Sequence, residues 1–170
     1  PRLGPGQLWD AAAAVLQAGG AAPVLNCRMV KARFDGESWT LCLDNGDTLD
    51  TGAVFASMPL HQLIEALEPL PPKHIRAVAA RLRHRSLITV AVALSQRREI
   101  PFHWVYTPGA EFRCGRIQNY SLWSPDLQPA GWRGTHLGFE YFLDADSATF
   151  TVDDDHLMKI VHGDLHALGF

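Results

Sequence analysis

The sequence contains little cysteine and no long apolar run. Its three cysteines, at positions 27, 42 and 114, do not have the CxxC spacing of redox and zinc sites. An odd number of scattered cysteines favours free thiols over a disulfide framework, so we expect a reducing, cytoplasmic compartment. No apolar segment approaches the roughly 20 residues that cross a bilayer. We also find no signal-peptide pattern and expect no membrane partner.

The sequence also lacks a strong charge of either sign. The formal net charge is −3, and charged residues make up 19% of the chain. This balance gives no electrostatic reason to expect nucleic acid as a partner. Basic residues cluster at 76–85 and 97–98, where a solvated helix end and a phosphate-binding role are the alternatives. The hydrophobic fraction of 47% is ordinary for a folded globular domain.

Several motifs of known chemistry are missing. The GxGxxG fingerprint of dinucleotide-binding folds is absent, since Gly4 and Gly6 are followed by Trp9 where the third glycine would stand. Eight histidines are present, none in an HExxH motif. His162 and His166 are four residues apart but have no evident third ligand, so we predict no metal site. No serine or cysteine has the neighbours of an activated nucleophile.

Apolar periodicity and turn residues predict an α+β fold with a mixed, largely antiparallel sheet and flanking helices. Asp35-Gly36 and Asn45-Gly46 predict two-residue hairpin turns, and therefore a three-stranded meander from 24 to 50. The apolar run Val54–Met58 predicts a buried parallel strand, and the run at 87–92 predicts a strand buried on both faces. A helix is predicted to end at 19–20, and further helices are predicted over 60–67, 73–82 and 153–168. Further strands are predicted over 86–94, 104–107, 115–120 and 136–142.

Three segments resemble parts of flavin amine oxidases. The turn and helix at 4–8 resemble the place where a glycine-rich turn enters a nucleotide-contacting helix. Asn26-Cys27-Arg28-Met29-Val30 matches the family's N-T-x-V strand, and Phe55-Ala56-Ser57-Met58-Pro59 resembles its A-x-P element. The later strands at 115–120 and 137–142, with Trp123-Ser124-Pro125, resemble a protoporphyrinogen-oxidase-like or UDP-galactopyranose-mutase-like subgroup. The chain is therefore interpreted as the middle part of a longer protein of this type.

The resemblance implies FAD as the cofactor of the intact protein, although this segment alone is expected not to hold it tightly. It divides the chain into part of an FAD-binding domain, 1–59, and a substrate domain, 60–170. The implied FAD contacts are made by Met29 and Val30 through their main chain and by Ser57, Met58 and Pro59. The implied contacts to a small-molecule substrate are made by Arg116, Asn119, Tyr120, Trp123 and Tyr141.

Two of these assignments have structural alternatives. Strand alternation places Arg116, Gln118 and Tyr120 on one face, where Arg116 could bind a carboxylate or phosphate or could pair with Glu140. The aromatic residues Trp104, Tyr106 and Trp123 could line a flat pocket or pack in the core.

The sequence thus predicts the substrate-side part of an FAD-dependent oxidoreductase. One alternative is a UDP-galactopyranose-mutase-like isomerase, in which reduced flavin attacks a nucleotide sugar and an arginine meets the diphosphate. Another is a non-enzymatic binding module that folds without flanking sequence and recognises a partner. A homo-oligomer is compatible with each of these hypotheses.

Overall fold

The computed structural model describes residues 2–144 and 153–170, and it confirms the α+β class. Helices and strands follow one another without regular βαβ alternation. The helices are α1 (Gly6–Ala18), α2 (Leu60–Ala66), α3 (Lys73–Ala79), α4 (Tyr120–Trp123) and α5 (Asp154–Ala167). The strands are β1 (Met29–Phe34), β2 (Trp39–Leu43), β3 (Thr48–Thr51), β4 (Leu67–Glu68), β5 (Arg85–Leu94), β6 (Trp104–Tyr106), β7 (Arg116–Asn119) and β8 (Thr135–Asp144).

The chain forms two compact units, each built on its own four-stranded sheet. One unit is Ala21–Arg83, and the other combines the described residues of Pro1–Gly20 and His84–Phe170. The boundary predicted between residues 59 and 60 follows the resemblance rather than compactness, and it stays a prediction.

The sheet of the Ala21–Arg83 unit contains the predicted meander. Its strand order is β3-β2-β1-β4, with antiparallel pairing from β1 to β3. The prediction of two-residue turns is wrong. Phe34 pairs with Trp39 across a four-residue loop, and Asp44 to Asp47 form a similar loop. In the first loop only Gly36 has a positive φ, of 109°. The preceding residue, Asp35, instead accepts hydrogen bonds from the main-chain N–H groups of Glu37 and Ser38.

The prediction of a buried parallel strand at 54–58 is wrong. These residues form no strand, and Phe55 is 99% exposed. The parallel neighbour of β1 is β4, whose Leu67 pairs with Ala32. The composition of the run was suitable for a strand, but a strand also needs a partner edge, and β4 pairs along β1.

The sheet of the other unit is antiparallel throughout, with the order β5-β8-β7-β6. Its two long strands, β5 at the edge and β8 beside it, pair over ten residues, from Arg85 opposite Asp144 to Leu94 opposite Thr135. One face of this sheet packs on α5 and carries the core. The fully buried members of that core are Cys114, Ile117, Leu137, Phe139, Tyr141 and Val161.

The prediction that β5 is buried on both faces is also wrong. Its residues alternate between half-buried and exposed along the whole strand. Ile88, Val90 and Val92 pack against the core, whereas Leu87 lies on the opposite face and is exposed. The continuous apolar run therefore belongs to a sheet that is covered by core on one face only.

Helix α5 begins and ends as predicted and is fixed to the sheet by a buried carboxylate. The Asp153 side chain accepts from the main-chain N–H of His156 at 2.8 Å, which caps the helix. Asp164 accepts from the main-chain N–H groups of Arg113 at 2.6 Å and Cys114 at 3.0 Å. It also accepts from the Tyr141 hydroxyl at 2.9 Å. These bonds satisfy a carboxylate that is almost fully buried.

The apolar side chains of α1 are not buried. Leu8, Val15 and Leu16 are exposed, and no residue of the helix is buried. Gly20 ends the helix with a φ of 81°. No helix among the described residues is both long enough and apolar enough to cross a membrane.

Candidate functional site

The open face of the β5-β8-β7-β6 sheet is the candidate site. Strand alternation places small side chains on this face at Thr89, Ala91 and Ala93 of the edge strand β5 and at Gly138 of the neighbouring β8. Larger side chains surround them. The surrounding residues from the strands are Leu87, Trp104, Tyr106, Arg116, Gln118, His136, Glu140 and Phe142.

Glu140 organises the polar part of this face. Arg116 donates from Nε to Glu140 Oε2 at 2.6 Å, and its Nη2 forms an ion pair with the same oxygen, also at 2.6 Å. Gln118 donates to the other carboxylate oxygen. Glu140 is only 2% exposed although it lies on the open face, because its two β7 partners cover it. The arginine charge is therefore neutralised within the sheet, and the alternative of an Arg116–Glu140 pair is the one that the structure contains.

Two aromatic rings flank the Arg116 guanidinium. Its Cζ lies 5.9 Å from the ring centroid of Tyr106 and 5.9 Å from that of Phe142. The hydrogen bond to Glu140 raises the pKa of Arg116 above its ordinary value, so the group stays protonated. Gly115 allows this packing, because a Cβ there would lie 2.7 Å from the Phe142 ring.

Tyr120 closes the central part of the face from above. It begins α4 rather than continuing β7, so its predicted place on the strand is wrong. The helical turn lays the phenol over Gly138, where a Cβ would come within 2.6 Å of Tyr120 Cζ. Burial raises the pKa of the Tyr120 hydroxyl, and the charge of Glu140 adds to the shift. Tyr120 therefore presents a neutral hydroxyl near the paired charges.

A cleft of about 400 Å³ lies beside Tyr120 on this face. Trp123 meets the Tyr120 ring edge-on, with centroids 5.5 Å apart, and donates from Nε1 to the His103 carbonyl at 3.3 Å. The Ser121 hydroxyl accepts from the main-chain N–H of His136 at 2.8 Å and so holds α4 on the sheet. The cleft is lined by Pro5, Ala91, Val92, Ala93, Tyr120, Trp123, Leu127, His136 and Leu137. Apolar walls with a few fixed polar groups suit a flat organic molecule.

The predicted substrate residues divide between the open face and the core. Arg116, Tyr120 and Trp123 come together on the open face. Asn119 points to the other side of β7 and is buried, because alternation sends it to the face of Ile117. Tyr141 is buried in the core, where its hydroxyl donates to Asp164, so no small molecule reaches it in this structure.

The predicted FAD contacts lie in the other unit. Val30 is exposed at the start of β1, and Met29 lines a surface cleft of about 720 Å³ with Cys27 and Leu43. Ser57 and Pro59 are exposed, and Met58 is half-buried. Pro59 has no N–H, and its carbonyl accepts from the first turn of α2. The sequence has no glycine-rich phosphate turn.

Sequence reasoning did not identify the small side chains of the open face or the His136 imidazole that lines the cleft. The signal was the spacing of Thr89, Ala91 and Ala93, which share one face of β5. Their presence in an apolar run concealed it. The described residues contain no group of three or more histidine, cysteine or acidic side chains that could hold a metal ion.

No protein-family model and no curated protein matches this sequence. Among solved structures, the chain is similar to reduced UDP-galactopyranose mutase, with 17% identity and a TM-score of 0.67 over 82% of this chain. It is also similar to two putrescine oxidase variants made by redesign of cofactor binding. Their TM-scores are 0.54 and 0.52, at 14% and 13% identity over 85% and 84% of this chain.

The chain spans less than a third of each of these proteins, 30% of the mutase and 31% of each oxidase. At these identities the likeness concerns the fold alone. The chain therefore has the α+β fold of a segment that occurs in a mutase and in an oxidase.

Proposed function

We propose that this chain forms the substrate side of an FAD-dependent oxidoreductase of the amine oxidase and protoporphyrinogen oxidase type, acting in the cytoplasm. The observation that carries the proposal is the open sheet face, with its apolar cleft and its neutralised Arg116–Glu140 pair. The fold likeness to putrescine oxidase supports it. A small organic substrate is the partner that this face suits.

In this proposal the chain binds and orients the substrate and excludes water. Trp123 and Tyr120 form an aromatic wall, and the small side chains of Ala91 and Ala93 leave room beneath a flat molecule. The Tyr120 hydroxyl, kept protonated by its raised pKa, donates a hydrogen bond to a polar atom of the substrate. FAD, when bound, would accept the hydride, and the protein's part is orientation and electrostatics.

Ser57 and Pro59 are exposed, and no GxGxxG turn is present to hold a pyrophosphate. The proposal therefore assigns most of the flavin contacts to the remainder of a longer protein, which fits the chain's share of the matched structures. Met29 and Val30 remain proposed main-chain contacts.

A UDP-galactopyranose-mutase-like isomerase is the second candidate, because the likeness to the mutase has the higher TM-score of 0.67. That activity needs a cation for the substrate diphosphate. Arg116 is already paired with Glu140 at 2.6 Å, so binding a diphosphate there would require a charged partner to be displaced. The charge of the open face thus favours the oxidoreductase.

The test is the visible absorption spectrum of the protein expressed from its complete reading frame. The proposal predicts a yellow protein that releases FAD on denaturation and whose flavin is bleached anaerobically by a candidate amine. The isomerase would convert a nucleotide sugar only after prior reduction of the flavin. A colourless protein that does not bind added FAD would contradict both flavin-dependent functions. The non-enzymatic binding module would then be the remaining hypothesis.

A variant connects the activity to this face. Gly138→Ala places a methyl group against Tyr120 and should raise the KM for the substrate at least about fivefold. The matched control is Gly163→Ala in α5, where a Cβ would meet nothing within 4 Å. An unchanged KM in Gly138→Ala would exclude the cleft as the substrate site.

A further inference from the structure

A second cleft lies where β5 and β7 end and β8 begins. Its volume is about 630 Å³, and it is lined by residues 97–101, by Asn119 and by residues 131–135, with Ser121, Leu122 and Gln128 completing it. It shares no lining residue with the cleft beside Trp123. The proposed oxidoreductase function does not use it.

Two buried polar atoms of this cleft have no hydrogen-bond partner within residues 2–144 and 153–170. They are the acceptor Asn119 Oδ1 and the donor Trp132 Nε1. Buried polar groups are nearly always paired, because losing water without gaining a partner costs free energy. Both atoms belong to residues that line one cleft, and a ligand with both an acceptor and a donor would pair them.

The orientation of Asn119 is fixed. Its Nδ2 donates to the Ile100 carbonyl at 3.1 Å, and its main-chain N–H donates to the His103 carbonyl at 2.7 Å. Rotating the amide would place two oxygens together, so Oδ1 must be the unpaired atom. The side chain is 2% exposed and rigidly held.

The indole of Trp132 is also held in place. It stacks on the His136 ring with centroids 5.4 Å apart and an interplanar angle of 12°. Gly134 makes this position possible, because a Cβ there would lie 2.7 Å from Trp132 Cε2 and would overlap the Leu94 carbonyl oxygen. The indole N–H therefore has a defined direction but no acceptor.

The rim of the cleft carries an excess of positive charge, with Arg97, Arg98 and Arg133 against Glu99. Arg98 already has partners within the protein. Its side chain donates to the Gly169 carbonyl, and its Cζ lies 4.6 Å from the centroid of the Phe170 ring. Within the described part of the chain, Arg97 and Arg133 form no ion pair, and both are exposed.

We propose that this cleft binds a small oxyanion that carries its own O–H group. The oxyanion accepts from Trp132 Nε1, its O–H donates to Asn119 Oδ1, and Arg97 and Arg133 neutralise its charge. Because both unpaired atoms are buried, this binding requires the exposed side chains at the rim to rearrange. Phosphate and small hydroxycarboxylates share this chemistry.

Paired probes test the role of the O–H group. At neutral pH phosphate still carries at least one proton, because its last proton is lost only in the strongly alkaline range, whereas sulfate carries none. We expect phosphate to bind about tenfold more tightly than sulfate, the factor that one hydrogen bond to an unpaired buried acceptor supplies. Comparing glycolate, which carries an O–H group, with acetate, which does not, tests the same point for carboxylates. The affinities of phosphate and glycolate then show which oxyanion the cleft prefers. The measurement is isothermal titration calorimetry at constant ionic strength on the full protein, with FAD in excess so that any nucleotide site is filled.

Three variants locate the binding. Trp132→Phe keeps an aromatic ring and removes the indole N–H. It should weaken the binding of each anion in a pair about five- to tenfold. Asn119→Leu should abolish the preference for phosphate over sulfate, with the thermal transition reporting whether it folds. Trp9→Phe, in the exposed helix α1, is the matched control and should bind like the parent protein.

The proposal is overturned if phosphate and sulfate bind equally, if neither binds, or if Trp132→Phe retains full affinity. Each of these results would mean that water alone pairs the two atoms. A flavin spectrum without anion binding would leave the proposed function intact, and anion binding to a colourless protein would support this cleft by itself.

Discussion

At the scale of single residues, Glu140 decides the character of the open sheet face. It is a nearly buried carboxylate whose oxygens are held by Arg116 and Gln118 from the neighbouring strand. Because its charge cancels that of Arg116, the face presents hydrogen-bonding groups and aromatic rings rather than a free cation. In the proposed function, this charge balance favours a neutral or flat substrate.

Replacing Glu140 with glutamine should therefore destabilise the protein. The Arg116 guanidinium would keep its charge but lose its charged acceptor, and we expect the free energy of unfolding to fall by about 1–3 kcal/mol. The measurement is urea unfolding followed by far-UV circular dichroism. Arg85→Gln is the matched control, since it breaks an exposed 3.9 Å pair with Asp144 and should change stability by under about 0.5 kcal/mol. Equal effects of the two substitutions would contradict this account.

Cys114 gives the protein a pH dependence in the alkaline range. Burial raises the pKa of its thiol to about 11 from an ordinary value of 9.0, although the Thr107 hydroxyl partly offsets the shift. A raised folded-state pKa means that the folded protein keeps a proton which the unfolded chain releases. The thiol's contribution to stability is thus complete below pH 9.0 and is lost as pH rises towards 11.

We expect the free energy of unfolding to fall by about 2–3 kcal/mol over this pH interval, at about 1.4 kcal/mol per pH unit. Urea unfolding at several pH values measures it, and Cys114→Ala should reduce the slope. The pKa of Tyr141 is also raised by burial, and it contributes above pH of about 10 in both proteins. An unchanged slope in Cys114→Ala would show that the thiol is not responsible.

At the scale of secondary-structure elements, two glycines should respond in opposite ways to alanine. Gly134 precedes β8, and a Cβ there would overlap the Leu94 carbonyl oxygen, which is backbone and cannot move aside cheaply. Gly163 lies inside α5, and its Cβ would meet nothing within 4 Å. The first position needs glycine for close approach, whereas the second does not.

We expect Gly134→Ala to lower the free energy of unfolding by about 2 kcal/mol or more. Gly163→Ala should raise it by about 0.5–1 kcal/mol, because alanine loses less backbone entropy in a helix. Thermal unfolding of both variants measures the difference. Stabilisation by Gly134→Ala would indicate that the β5–β8 end is less closely packed than described.

At the scale of the whole molecule, the two compact units differ in how much apolar surface they bury. The buried apolar residues described in Ala21–Arg83 are all alanines, at positions 32, 66 and 79. The other unit buries Ile117, Phe139 and Val161 completely. Since stability grows with buried apolar area, the Ala21–Arg83 unit should unfold first.

Thiol labelling can follow this order, because each sheet-forming unit has a reporter cysteine. Cys42 lies in β2, and Cys114 is buried beside Asp164. In a Cys27→Ser background, Cys42 should react with a thiol reagent at lower urea concentration than Cys114. Simultaneous exposure of both thiols would instead indicate one cooperative unit.

Local signals were sufficient to predict most elements of this fold. Asp153 begins α5, Gly20 ends α1, and alternation places Ile117 inside the sheet, because caps and strand periodicity depend on neighbouring residues only. The failures depended on distant partners. Val54–Met58 had the composition of a strand but no edge to pair with, and Tyr120 left its strand for a helical turn.

The candidate site was less predictable for the same reason. Arg116 and Glu140 are 24 positions apart, so their pairing was only one of two alternatives before the strand register was known. The unpaired atoms of Asn119 and Trp132 could not be predicted, since an unmet hydrogen bond is visible only when all neighbours are in place.

The alternation along β5 also bears on how this segment can change over evolution. Its ten consecutive residues face two different environments that interleave with a period of two. Positions such as 88, 90 and 92 accept only apolar side chains of similar volume, because they pack on the core. Positions 89, 91 and 93 lie on the open face and are free of that requirement. Substitutions at these three positions can therefore alter the open face with little loss of folding stability.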